Sequence, residues 1–345
     1  MRIPAESSQA VEANTLVEGL QSYFVQRLNN VSKTLGSNVA FEEVEWMRDE
    51  GKHGGGTRFE ARDETIFNRG SVNVSQVHYD DNPDKKLGSA TAISTIIHPK
   101  NPNVPSMHMH ISWTQMRDGS GYWRVMADLN PSIRNEDDKK SFDSILESES
   151  KEYFKEGSEQ GNKYFDIPVL NRTRGVSHFY LENFNTGDFQ ADYAYSKNIG
   201  EKVIDTYIEI ITNAIKNSPD ITDEQRAEQL AYHTLYLFQV LTLDRGTTSG
   251  LLVHNQNDVG IMGSIPSHVN RDLLKTWVDK MPRPQNELVL KLIDALPNVV
   301  PTSVEVDTKK KLANAVREHY VAHPEALSMQ ASGGIIPSTV KNHKS

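Results

Sequence analysis

The chain of 345 residues contains no cysteine. That excludes disulfides, thiolate zinc sites, iron–sulfur clusters and cysteine nucleophiles, and it fits a cytoplasmic chain. Long hydrophobic runs are also missing: nothing approaches the roughly 20 apolar residues of a membrane-spanning helix. The N-terminal MRIPAESSQAVEAN lacks the charged and apolar regions of a secretory signal. Positive charge is in short supply, with 37 Lys and Arg against 46 Asp and Glu for a net charge of −9. Without a dense basic cluster, a nucleic-acid partner is not expected. An anionic ligand would need a local cationic pocket set against the global charge. Several motifs are absent as well: no Gly-x-Ser-x-Gly, no His-Glu-x-x-His and no dinucleotide Gly-x-Gly-x-x-Gly. The glycines of His53-Gly54-Gly55-Gly56-Thr57-Arg58 lack the Gly-Lys-Ser/Thr ending of a phosphate-binding loop.

What is present is alternation. Ser106, His108, His110 and Ser112 fall on one face of a strand, and Met107, Met109, Ile111 and Trp113 on the other. The apolar face can pack on a core, while the polar face needs water, a partner or a ligand. After Arg117-Asp118-Gly119-Ser120-Gly121, a second strand carries Tyr122, Arg124, Met126 and Asp128 on one face. A hairpin centred near Gly119 places Asp128 roughly opposite His110. A carboxylate beside two imidazoles is a candidate acid/base site. On an open sheet face, Asp128→Asn is then expected to remove the base at a stability cost within about 1 kcal/mol.

Elsewhere the periodicities predict helices over 9–35, 136–163, 189–217, 222–241, 270–281, 286–295 and 307–320. Strands are expected over 40–46, within 57–79, over 89–99 and over 175–184, with a strand-like, irregular stretch at 251–265. The tail MQASGGIIPSTVKNHKS reads as weakly ordered. Hairpins interrupted by long helices argue for an α+β fold with a broad, largely antiparallel sheet. One domain is expected over residues 1–297, with a C-terminal extension over 298–345.

Three local features carry alternatives. His53-Gly54-Gly55-Gly56-Thr57-Arg58 reads as a flexible glycine turn, a lid over substrate or a phosphate cradle. His108-x-His110 could ligate a metal, with His98 or Asp128 as third ligand, or could serve acid/base or polar-contact roles. Asp244-Arg245-Gly246 is a solvated turn, or else Arg245 anchors a carboxylate in bidentate fashion.

Several segments, in order, resemble the oxygen-dependent coproporphyrinogen III oxidase family. They include Gly54-Gly55-Gly56-Thr57-Arg58, Phe67-Asn68-Arg69-Gly70-Ser71-Val72-Asn73, Ala90-Thr91-Ala92-Ile93-Ser94 and His98-Pro99-Lys100-Asn101-Pro102-Asn103-Val104-Pro105. His108-Met109, Asp128-Leu129-Asn130-Pro131, Arg174-Gly175-Val176 and Asp244-Arg245-Gly246-Thr247 continue the series. The resemblance spans roughly residues 15–296. It implies an antiparallel sheet with helices on both faces and a homodimer with a deep cleft. It also implies oxidative decarboxylation of coproporphyrinogen III to protoporphyrinogen IX, with dioxygen as co-substrate and neither metal nor organic cofactor. Carried over by position, it implies His108 and Asp128 as catalytic, and Ser94, Asp244 and Arg245 as substrate-side residues. Where the family usually places an arginine this chain has Ser112. Where the family has three glycines this chain has Arg124, Val125 and Met126, and a further family arginine is replaced near Asn257. His110, Ser112 and Arg124 then become candidate substrate contacts, Arg124 restoring one lost charge. The same departures keep two alternatives open: a homologue acting on another substrate, or a non-catalytic tetrapyrrole-binding protein.

Overall fold

A computed structural model describes residues 1–61, 64–218 and 220–334. The last residues of the tail, 335–345, whose order the composition brings into question, lie outside the described residues. Seven strands form one antiparallel sheet in sequence order: β1 (Glu42–Met47), β2 (Gly54–Ala61), β3 (Phe67–His78), β4 (Leu87–Pro99), β5 (Ser106–Met116), β6 (Gly121–Asn130) and β7 (Ser177–Phe184). The fold is α+β, with helices on both faces of the sheet.

Period-two alternation decides which face each side chain takes. Met107, Met109, Ile111, Trp113, Trp123, Val125, Ala127 and Leu129 point into one core. Helix α1 (Ser8–Thr34) and helix α4 (Phe189–Asn217) cover it. In α1, Ser7 accepts from the Ala10 amide as N-cap, and Leu16, Leu20, Phe24 and Leu28 bury one stripe. Helix α2 (Glu136–Ser150) packs on α4. The single helix expected over 136–163 is two: at Lys151 the backbone takes φ +49°, and α3 (Phe154–Tyr164) then runs beside β7.

The opposite face carries the second core. Helices α5 (Asp223–Thr242), α6 (Arg245–Val253), α7 (Asp258–Ile261), α8 (Arg271–Lys275), α9 (Gln285–Ala295) and α10 (Val306–Ala322) contribute to this side. Leu237, Phe238, Leu241, Leu288, Leu292, Leu312 and Val316 lie in one cluster, so α10 shares the core of α5 and α9. The stretch 251–265, expected to be strand-like, is helical. The Asp244 side chain accepts from the Thr247 amide and starts α6, a capping signal that the apolar run conceals.

Gly54–Gly56 form neither a turn nor a lid. They open β2 and pair with β3, and Gly55 and Gly56 also pair with β1. A Cβ on Gly56 would lie 2.2 Å from the Val74 carbonyl oxygen and 2.5 Å from Trp46 Nε1. Glycine here serves close approach between strands.

Candidate active site

The β5–β6 turn sets the site. Gly119 takes φ +89°, its amide donates to the Met116 carbonyl, and the Met116 amide donates to the Ser120 carbonyl. A three-residue loop with a left-handed glycine centres the hairpin on Asp118. His108 therefore pairs with Asp128, His110 with Met126 and Ser112 with Arg124. The register differs by two residues from a hairpin centred near Gly119, and Asp128 faces His108 rather than His110. An even shift preserves the face of every side chain.

Asp128 has no exposed surface. Its Oδ1 lies 2.7 Å from His108 Nδ1. Its Oδ2 accepts from Arg174 at 2.8 Å and from Asn130 Nδ2 at 2.6 Å. Burial alone raises a carboxyl pKa, but Arg174 and His108 overcome it and hold Asp128 at about 2. Arg174 also donates to Gln239 Oε1 at 3.0 Å and stacks over Phe165. With Nδ1 engaged by Asp128, His108 retains Nε2 for the cleft, which the residue lines.

His110 and Arg124 take partners other than those that hold Asp128. His110 Nε2 meets Ser112 Oγ at 2.9 Å. Burial, then Arg124 and His108, push its pKa down to about 3, so it is neutral at physiological pH. Arg124 donates to the Tyr122 hydroxyl and lies over that ring, 5.1 Å from its centroid. Ser94 pairs with His110 across β4–β5. His98, expected as a third metal ligand, is committed elsewhere: Nδ1 meets Ser106 Oγ and Nε2 the Ser264 carbonyl oxygen. Among the described residues, no group of three or more His, Asp or Glu is placed to hold a metal ion.

Asp244 and Arg245 sit at the start of α6. Asp244 Oδ2 accepts from the Tyr164 hydroxyl at 2.9 Å, and Arg245 reaches Glu182 at 3.4 Å. These residues border one cavity of about 300 Å3, at the low end of small-molecule sites. Arg124, Arg174, Arg245, His108, His110 and Glu182 line one end; Trp46, Ser71, Asn73, Ser75 and Thr91 line the other. The charge is thus concentrated beside β5–β7. Sequence reasoning had placed Arg174 in a motif without assigning it a role and had missed Tyr164 and Glu182. Arg174 is 46 residues from Asp128, and its pairing follows from sheet topology rather than from local pattern.

The family model for coproporphyrinogen III oxidase matches residues 12–281. Two similar relatives, from Rickettsia bellii strains OSU 85-389 and RML369-C, are each named oxygen-dependent coproporphyrinogen-III oxidase. Each is 28% identical over 243 residues, covering 66% of this chain and 84% of the relative. Among the described residues, no helix is long and apolar enough to cross a membrane.

Proposed function

The chain belongs to the coproporphyrinogen III oxidase family, and on that premise we propose that it converts two propionates of coproporphyrinogen III, or of a close porphyrinogen, to vinyl groups in haem biosynthesis. The observation that carries the reading is the buried Arg174–Asp128–His108 relay at the cationic end of the cavity. Each propionate loses carbon dioxide and, formally, a hydride from the carbon next to the ring. Dioxygen takes the two electrons and, with one proton from solvent, leaves as hydrogen peroxide.

His108 meets the substrate in this reading. Its Nε2 takes a pyrrole N–H proton and returns it once the vinyl group has formed, while Asp128 holds the Nδ1–H and stabilises the transient imidazolium. Arg174 keeps Asp128 ionised and fixed. Arg124 and Arg245 receive substrate carboxylates, a role suited to the guanidinium fork. Ser94, Ser112 and neutral His110 supply polar contacts along the sheet floor, and Asp244 holds the α6 terminus that carries Arg245. The reaction uses no metal or organic cofactor, and the enzyme is a homodimer, as the resemblance implies.

Anaerobic titration with coproporphyrinogen III, followed by air and product analysis, tests this. Vinyl products with one peroxide and one carbon dioxide per propionate are expected, undiminished by prior dialysis against chelator. Binding without turnover would replace the reading with a tetrapyrrole-binding protein. The small cavity, with Arg124 and Met126 on its wall, favours a second reading, a smaller carboxylate substrate; absence of binding would point there.

A further inference from the structure

Beyond the residues matched by the family model, the chain returns to the site. After α10, residues Gln330–Gly333 run past the start of α6 and the end of β7. The Ala331 amide donates to the Leu243 carbonyl at 2.9 Å. The Ala331 carbonyl accepts from Arg245 Nη2 at 2.9 Å. The Gly333 amide donates to Glu182 Oε2 at 3.0 Å. The Gln330 amide group donates to Thr248 Oγ1 at 2.5 Å and to the Tyr320 hydroxyl at 3.1 Å. Ala331 also packs against Met126, Tyr164, Phe165 and Tyr180, beneath the cationic end of the cavity.

Two of these contacts fall on residues of the cavity wall, Glu182 and Arg245, which pair with each other. The Glu182 side chain is 1% exposed. A carboxylate that buried needs donors as well as a counter-charge, and the Gly333 amide is one of them. Arg245 is divided between Glu182 and the Ala331 carbonyl. That fixes the plane of the guanidinium and the direction of its remaining N–H groups. Gly333 is buried, and a Cβ there would meet Glu182 Oε2 and Gln160 Cβ, each at 3.0 Å. The segment is therefore fitted to Glu182, not draped over it.

We propose that Gln330–Gly333 is a positioning element of the active site, holding Arg245 and Glu182 in the orientation that receives a substrate carboxylate. The inference rests on the proposed reaction for its kinetic consequence, but not for its structural one. A chain ending at Met329 keeps α10. It should raise KM for coproporphyrinogen III about tenfold, the worth of one charged hydrogen bond, with kcat changed less than about threefold. Gly333→Pro, which removes the amide donor, should do the same.

Hydrogen exchange separates this inference from the reaction itself. In wild type the amides of Ala331 and Gly333 should be protected. In the shortened chain, protection should fall in 180–184 and 243–249 and persist in α1. If wild type neither binds nor turns over the porphyrinogen, the proposed reaction fails and exchange alone decides the strap. Unchanged exchange in both segments after truncation overturns it. A kcat loss with KM unchanged would also overturn it, because the segment would then not govern substrate binding.

Discussion

The Asp128 carboxylate is enclosed by Arg174, Asn130 and His108, and this changes what a substitution there can report. Asp128→Asn leaves the Arg174 guanidinium buried without its counter-charge. Removing one partner of such a pair costs roughly 3–5 kcal/mol, well above the 1 kcal/mol expected for a base on an open sheet face. The variant should lose turnover and much of its stability together, so its inactivity alone cannot establish chemistry. His108→Gln is the cleaner test, because it leaves Arg174, Asp128 and Asn130 in place. It should lower kcat by about 10² or more while urea unfolding shifts by about 1 kcal/mol. Unchanged turnover would remove His108 from the mechanism. Arg124 offers a second test. If it supplies a carboxylate contact, Arg124→Gly should weaken anaerobic porphyrinogen binding by roughly 1.5–3 kcal/mol. Tighter binding would show instead that Arg124 obstructs the macrocycle.

Pairing and capping explain what could be read from the sequence and what could not. Parity along β5 and β6 was legible, because alternation needs no knowledge of partners: Met107, Met109 and Ile111 are in the core, and His108, His110 and Ser112 line the cavity. The register was not, because it depends on whether Gly119 is the centre of the turn or its left-handed third residue. The α6 helix was hidden because Leu251, Leu252 and Val253 look strand-like, while the decisive information was the Asp244 cap and packing from α10. Arg174 was hidden by distance along the chain. The glycines of β2 misled in the other direction, since the same composition suits a loose turn and a tight strand contact. Gly56→Ala separates the two. In a turn it would be nearly neutral. In β2 it forces β1 and β3 apart and should cost about 1–3 kcal/mol, read as a lower urea midpoint with an unchanged slope.

At the scale of the whole molecule, helices cover both faces of the sheet, and this enclosure buries histidines as neutral groups. Burial, reinforced by His233, holds His98 well below its ordinary pKa. Burial lowers His233 to about 3 and also depresses His178. His110 is brought to about 3 by burial with Arg124 and His108. In the unfolded chain each titrates near 6.5. Between the two values the unfolded state binds more protons, so stability falls as pH falls. The contribution is intact above about pH 6.5 and drains away below it, with a limiting slope of about 1.4 kcal/mol per pH unit for each histidine. Asp128, with a folded pKa of about 2, loses its contribution only below its ordinary carboxyl range. Acid sensitivity should therefore begin with the histidines. Against an ordinary margin of roughly 5–15 kcal/mol, several such groups are enough to make acid unfolding set in below about pH 6.5. The urea midpoint is expected to be level from pH 8 to 7 and to fall steadily from pH 6.5 to 5. His110→Gln, which removes one of these titrations, should make that decline shallower. A midpoint level down to pH 5 would mean that the enclosed histidines gain their protons without unfolding the protein.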